Sequence, residues 1–259
     1  MNYPATLIME WLAAYLWPFC RVSAMLMTMI IIGSQTVSPL VRVKLGLLIT
    51  VAIAPLLPAM PAIELFSLNG FLVTINQLLI GIALGLISQF LIQTFIIAGQ
   101  VIAMQTGLGF ASMVDPINGG STPVVGQLYL MLGTLVFFAI DGHLAMIRLV
   151  TLSFHSLPVS LSGLSLGAMQ ELVNFGAVMF QAALAVSLSA IIAMLIINFS
   201  FGVMTRAAPQ LNIFSLGFAI SMVCGLLILW LSLGSFLDHY LSHWSRVQSL
   251  MCSVVRLNC

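Results

Sequence analysis

Chemistry in this 259-residue chain must come from very few groups, since it has seven Lys and Arg, six Asp and Glu and four His. Arg21, Asp141, His143 and Arg148 fall in or beside apolar segments, where ionisable side chains suit a proton or solute relay. They are few and scattered, and no pair of broken helices at matching positions accompanies them, which argues against a secondary transporter. Asp115 or Asp141 acting with His143 would make a general base only within hydrogen-bond reach of a substrate. No nucleophile elbow, HExxH or paired-aspartate spacing occurs, and the fragment GLGF is not a dinucleotide fingerprint. His239 and His243, four apart, could form a metal edge with Cys252 and Cys259, but the spacing matches no ligand pattern and reads better as an exposed helix end. Cys20 and Cys224 sit in apolar segments as small hydrophobes, and without a CxxC spacing no disulfide framework is suggested. The expectation is therefore a protein that is not an enzyme and that needs neither metal nor cofactor.

A different kind of feature stands out between Met104 and Gln127, MQTGLGFASMVDPINGGSTPVVGQ, the longest break in the apolar pattern. Gly107, Gly109, Gly119 and Gly120 tolerate unusual backbone angles, while Phe110, Met113, Val114 and Ile117 supply bulk that a solvated linker would not need. Asp115-Pro116 is turn chemistry, and Thr122-Pro123 reads as a helix N-cap followed by Pro at the first helical position. The segment is expected to be a compact loop between two apolar helices, and long loops of this kind usually carry function.

The elements that hold this loop are membrane helices. The chain is 61% hydrophobic and 5% charged with mean hydropathy +1.20, far from the roughly 25% charged residues of soluble domains. Residues 65–114 and 172–205 contain no charge, and about 20 apolar residues suffice to span a bilayer. The net charge of +1 offers no footprint for nucleic acid, which needs clustered Lys and Arg. The N-terminus lacks the basic region of a secretory signal and carries Glu10, so the first helix is expected to be retained.

Six helices are expected. The first covers about 4–32, with Trp11, Tyr15 and Trp17 as an interfacial belt and Pro18 as a kink. Arg21 lies inside it, roughly 16 Å along the axis from Glu10, and so needs a partner from another helix or subunit, or a wet cavity. The second starts at Ser38-Pro39 and ends near residues 55–61, the third follows Asn69-Gly70 and runs to about Thr106, and the fourth runs from Pro123 through Asp141-Gly142-His143 past Arg148. The fifth covers about 168–204, and the sixth extends from an Asn212 cap to about Trp244, leaving a short polar tail. The third would be about 55 Å long, too long for a plain span of about 30 Å. On it, Gln89, Gln93 and Gln100 share a face and Gly81 with Gly85 makes a GxxxG patch, both protein-facing features. The small-residue run 182–193 of the fifth helix likewise points to close packing. Arg42 and Lys44, Arg206, and Arg246 with Arg256 put basic residues at ends of both kinds, so charge does not fix the orientation.

Three runs, GFASMVDPINGGSTPVVGQ, DGHLAMIRLVTLSFHSLP and TRAAPQLNIFSLGF, together with Phe19-Cys20-Arg21, Gly33 and SPLVRVKLGL, resemble the FliR family of flagellar type III export-gate subunits. The resemblance covers nearly the whole chain; the family often has Pro shortly before the glycine at 33, where this chain has Ile31-Ile32. It implies an all-α integral membrane protein of extended helical hairpins, with a FliP-like part at 1–160 and a FliQ-like hairpin at 161–245, followed by the tail 246–259. It implies no enzyme activity. It also implies assembly with FliP, FliQ, FlhB and FlhA homologues in a multi-pass gate of the bacterial inner membrane at the flagellar basal body, which passes unfolded rod, hook and filament proteins. Injectisome secretion uses a similar subunit. The family's plug loop corresponds to residues 107–122, with Phe110, Met113 and Val114 filling the lumen. Arg21, Gln89, Gln93, Gln100, Asp141, His143 and Arg206 are the candidates for polar contacts between helices or subunits.

Overall fold

The computed structural model describes residues 5–34, 37–61, 63–109, 123–207 and 213–257. Among these the regular structure is helical throughout: α1 (Ala5–Thr28), α2 (Pro39–Ile53) with a 3-10 turn (Ala54–Leu56), α3 (Leu68–Gln105), α4 (Val124–Ala139), α5 (Gly142–Ser156), α6 (Leu166–Ala207), α7 (Ile213–Leu233) and α8 (Phe236–Val254). Six expected helices become eight because two of them break. The fourth stops at Ala139, and Asp141 takes a left-handed conformation (φ 55°, ψ 31°) before α5 begins. The sixth stops at Leu233 and restarts at Phe236, bent by 56°. Residues 246–254, expected in a polar tail, instead complete α8 and bury Val247, Leu250, Met251 and Val254.

Local signals explain most boundaries. Pro39 occupies the first turn of α2, where its missing N–H is not needed. α3 begins at Leu68, ahead of the Asn69-Gly70 pair it was expected to follow, and its cap is Ser67, whose hydroxyl accepts from the Gly70 N–H at 3.1 Å, the N-cap to N3 bond. α1 runs through Pro18, and beyond it Ile31 sits at φ 70°, in the region where a β-branched residue is an outlier.

Pro39–Leu56, Leu68–Gln105 and Leu166–Met204 are each long and apolar enough to cross a membrane, and counting each broken pair as a span raises the number to five. The chain packs as two compact units that do not follow chain order. The first contains α1, α2, α5 and the ends of α3, α6 and α8 contributed by residues up to 90, 176 and from 246. Its core holds Trp17, Val22, Met25, Leu84, Met146 and Phe154. Trp17 is fully buried and donates its indole N–H to the Thr74 hydroxyl at 3.2 Å, so it is a core residue and not part of an interfacial belt. Trp11 is 65% exposed, with its ring 4.9 Å from that of Tyr15.

The second unit contains residues 91–137 and 177–245. Along α6 the buried positions Ala183, Ser187, Ala190 and Met194 form a seam at spacings of four, three and four, the helical period. The small-residue run therefore packs on one side only, while Leu184, Leu188, Ile192 and Leu195 face outward.

Candidate functional site

The expected loop leaves and re-enters the second unit at two tightly packed roots. Phe110, Met113, Val114, Asp115, Pro116, Gly119 and Gly120 lie outside the described residues. α3 closes with the Thr106 N–H donating to Ile102 O at 3.0 Å, after which Gly107 turns at φ 78° and the Gly109 N–H returns to Ala103 O at 2.9 Å. A left-handed residue after the last helical one is the common way to satisfy end carbonyls, and glycine adopts it without a Cβ penalty. A Cβ on Gly107 would also lie 3.2 Å from the Phe218 ring of α7, and Thr106 packs against Gly225 of the same helix. At the other root, α4 lies against α3 so closely that a Cβ on Gly99 would stand 2.9 Å from Gly126 Cα and 3.0 Å from Val125 O. Backbone meets backbone there, and no side chain can move aside. Farther along, Tyr129 of α4 shares a 3.2 Å hydrogen bond with Ser232 of α7, and the Phe95 ring packs 5.1 Å from Phe236 and 5.2 Å from Tyr240 of α8. The residues that flank the segment on both sides thus pack among α3, α4, α7 and α8.

The first unit is built around a buried cation. Arg21 is fully buried. Its Nε donates to Gln77 Oε1 at 2.8 Å, Nη1 to Ser153 Oγ at 2.9 Å and Nη2 to the Leu157 carbonyl at 2.9 Å. The guanidinium also lies 4.0 Å over the Phe154 ring. The partners come from α3 and from the end of α5, and all are neutral: oxygens satisfy the forked donors, and a ring face takes part of the charge. Beside it, α1 and α3 approach through the GxxxG patch. A Cβ on Gly81 would overlap Arg21 O, and one on Gly85 would overlap the Thr28 hydroxyl and stand 2.7 Å from Met25 O.

A model of bacterial export proteins, family 1, matches residues 12–247. The flagellar biosynthetic protein FliR of Escherichia coli strain K12 is 37% identical over 218 residues, 84% of this chain and 83% of that protein. FliR of Pectobacterium carotovorum is 36% identical over 226 residues, 87% and 86% of the two chains, and FliR of Aquifex aeolicus is 31% identical over 227 residues, 86% of each. This chain belongs to the FliR family. The relatives are named flagellar biosynthetic proteins and the family model bacterial export proteins, and the long apolar helices make this chain a membrane protein.

In this fold the glutamines of α3 do not act as one stripe. Gln89 donates to Thr28 O at 3.1 Å within the first unit, whereas in the second unit Gln93 is exposed and Gln100 packs its stem beside Gly126. Asp141 is exposed, and its backbone carbonyl, not its carboxylate, caps α5 by accepting from Leu144 and Ala145 at 3.0 Å. The His143 ring packs edge-on against Phe138 at 5.2 Å. Arg148 and Arg206 are exposed, the latter in the last turn of α6. His239 is also exposed, but His243 turns inward with its Nε2 2.9 Å from the Thr94 hydroxyl, so the pair presents no common metal edge. Cys252 is disulfide-bonded, contrary to what the cysteine spacing suggests, while Cys20 and Cys224 are free thiols.

Sequence reasoning passed over Gln77, Ser153, Phe154, Gly99, Gly126 and Phe218. Gln77 left a trace, as half of the amide pair Asn76-Gln77 inside an apolar run. The two facing glycines left none, because each is ordinary within its own helix and acquires meaning only from the other.

Proposed function

We propose that this FliR-family chain is a core subunit of the flagellar type III export gate and that residues 107–122 plug its closed pore. In this reading it assembles with FliP and FliQ homologues, with FlhB at the entrance and FlhA as cytoplasmic docking platform, in the bacterial inner membrane at the basal body. Unfolded rod, hook and filament proteins pass through the channel. Residues 1–160 act as the FliP-like part and 161–245 as the FliQ-like hairpin, and the outward apolar face of α6 is available to neighbouring subunits. Gln93 and Arg206, exposed in the isolated chain, are the candidates for contacts between subunits; Arg21 works within its own chain.

The observation that carries the plug is the pair of roots. A loop of bulky apolar residues hung between two packed roots, one against the Phe218 ring and one backbone to backbone at Gly99 and Gly126, would keep its ends fixed while its middle moves, as a gate requires. Apolar bulk in a narrow lumen excludes water and ions by dewetting. Deleting residues 107–121 in cells should leave the complex assembled and the membrane leaky. The readouts are co-purification of tagged chain with FliP and FliQ homologues and the conductance of the membrane. An assembled complex with unchanged conductance would sink the plug; a chain that co-purifies with neither homologue would sink the gate.

A further inference from the structure

Residues 157–165 join the end of α5 to the start of α6, and their sequence, LPVSLSGLS, has the Pro, Gly and Ser content of a flexible linker. The stretch is nevertheless tied down along its length. Leu157 and Val159 are buried, and the Leu157 carbonyl accepts from Arg21 Nη2. The Ser160 and Ser162 hydroxyls share a hydrogen bond at 2.7 Å. At the far end Ser165 caps α6, its hydroxyl accepting from the Ala168 N–H at 3.2 Å, the N-cap to N3 bond.

Between these ends stands Asn76 of α3. Its Nδ2 donates to the Leu161 carbonyl at 2.9 Å, and its Oδ1 lies so close to Gly163 that a Cβ there would stand 2.5 Å from it. One amide therefore meets the turn at two points: the nitrogen holds a carbonyl, and the oxygen fills the space that the missing side chain two residues later leaves open. The next residue of α3, Gln77, accepts from Arg21 at 2.8 Å, and Arg21 in turn holds Leu157. Two adjacent amides of one helix thus fasten the turn, one directly and one through the guanidinium.

We propose that the turn 157–165 is a fixed joint and that Asn76 is its positioning residue, setting where α6 starts against α3. With the turn latched, the first residues of α6 follow α3 at residue 76 and do not swing on a Ser/Gly tether. This deepens the gate reading and rests on it only for what the joint connects, the FliP-like part at 1–160 and the FliQ-like hairpin at 161–245.

Native-state proteolysis of the full-length chain in detergent tests it, because cleavage at a latched turn follows the population in which the turn has opened. Loops of small polar residues are preferred nicking sites, yet subtilisin should cut the unsubstituted chain only slowly between 158 and 165. Asn76→Asp keeps the shape and removes the donor. It and Asn76→Ala should raise cleavage in the turn about fivefold, the factor for one lost hydrogen bond, with cleavage elsewhere and the unfolding temperature unchanged. Gly163→Ala should do the same in the unsubstituted chain, because its Cβ displaces the amide. It should add nothing in the Asn76→Ala background, where of the three contacting atoms only Cβ of residue 76, at 3.5 Å, remains. Unchanged cleavage in both Asn76 variants, or a Gly163→Ala effect that adds in full to that of Asn76→Ala, would overturn the joint. So would faster cleavage throughout the chain with a lower unfolding temperature, which would make Asn76 a general stabilising residue. These outcomes leave the gate reading untouched, since that reading fails on co-purification with FliP and FliQ homologues and not on this turn.

Discussion

The first unit is joined at Arg21 by directed hydrogen bonds, whereas the second joins α3 to α4 by glycine, with no side chain between the backbones. The two solutions fail differently. A hydrogen-bonded cation tolerates small shifts of its partners but not their loss, since stranded acceptors keep their desolvation cost. A backbone-to-backbone contact strands no polar group, yet any added atom separates the helices. In the proposed gate the difference would suit their places, because the glycine contact lies beside the root of the plug segment.

The largest effect should come from the cation. Arg21→Leu keeps apolar volume but leaves Gln77 Oε1 and Leu157 O without their donor, at about 1–3 kcal/mol for each stranded acceptor. Arg21→Lys keeps the charge without the fork that serves three acceptors, and should recover only part of the loss. Phe154→Leu removes the ring face, worth about 0.5–2 kcal/mol, and leaves part of a fully buried site unfilled. Thermal unfolding of the purified chain in detergent gives the order, with Arg21→Leu lowest, then Arg21→Lys, then Phe154→Leu. Unfolding of Arg21→Leu at the unsubstituted temperature would mean that packing alone holds the first unit.

At the glycine contact two single-methyl changes should have opposite signs. Gly99→Ala puts its Cβ 2.9–3.1 Å from Gly126 Cα, Val125 O and Gly126 N, and overpacking of this kind costs about 1–3 kcal/mol. Gly126→Ala meets nothing nearer than Gln100 Cγ at 3.4 Å, so the helix-propensity gain of about 1 kcal/mol should leave it neutral or stabilised. Loss of stability in both variants would show that the helices meet more symmetrically than the two glycine environments indicate, and loss in neither would remove the contact as an anchor.

Much of this was legible in advance, and the exceptions share a cause. Apolar runs with proline and serine at their starts located the helices, because boundary signals are local. Asp141-Gly142 was visible as a polar cluster, yet whether such a pair interrupts a helix depends on packing around it. The need of Arg21 for partners followed from burial alone, but the partners are 56, 132 and 136 residues away in the chain. No spacing rule reaches that far. The inward turn of His243 and the amphipathic end of α8 were hidden for a related reason: a polar outer face at the end of an apolar chain looks like a tail until the buried side is known.

The smallest effect sharpens the comparison at the loop itself, where a backbone requirement and a packing contact fall on one residue. Gly107→Ala must hold an L-residue at φ 78°, which costs about 1–2 kcal/mol, and must also place its Cβ 3.2 Å from the Phe218 ring. Phe218→Leu shortens the side chain and relieves only the second of these. In a double-mutant cycle read by thermal unfolding, most of the Gly107→Ala cost should persist in the Phe218→Leu background, and the coupling should stay below about 0.5 kcal/mol, the scale of independent sites. A coupling that cancels the cost would make the ring contact, and not the left-handed turn, the reason for glycine here. The root of the loop would then be a packed contact of the same kind as Gly99 rather than a helix stop.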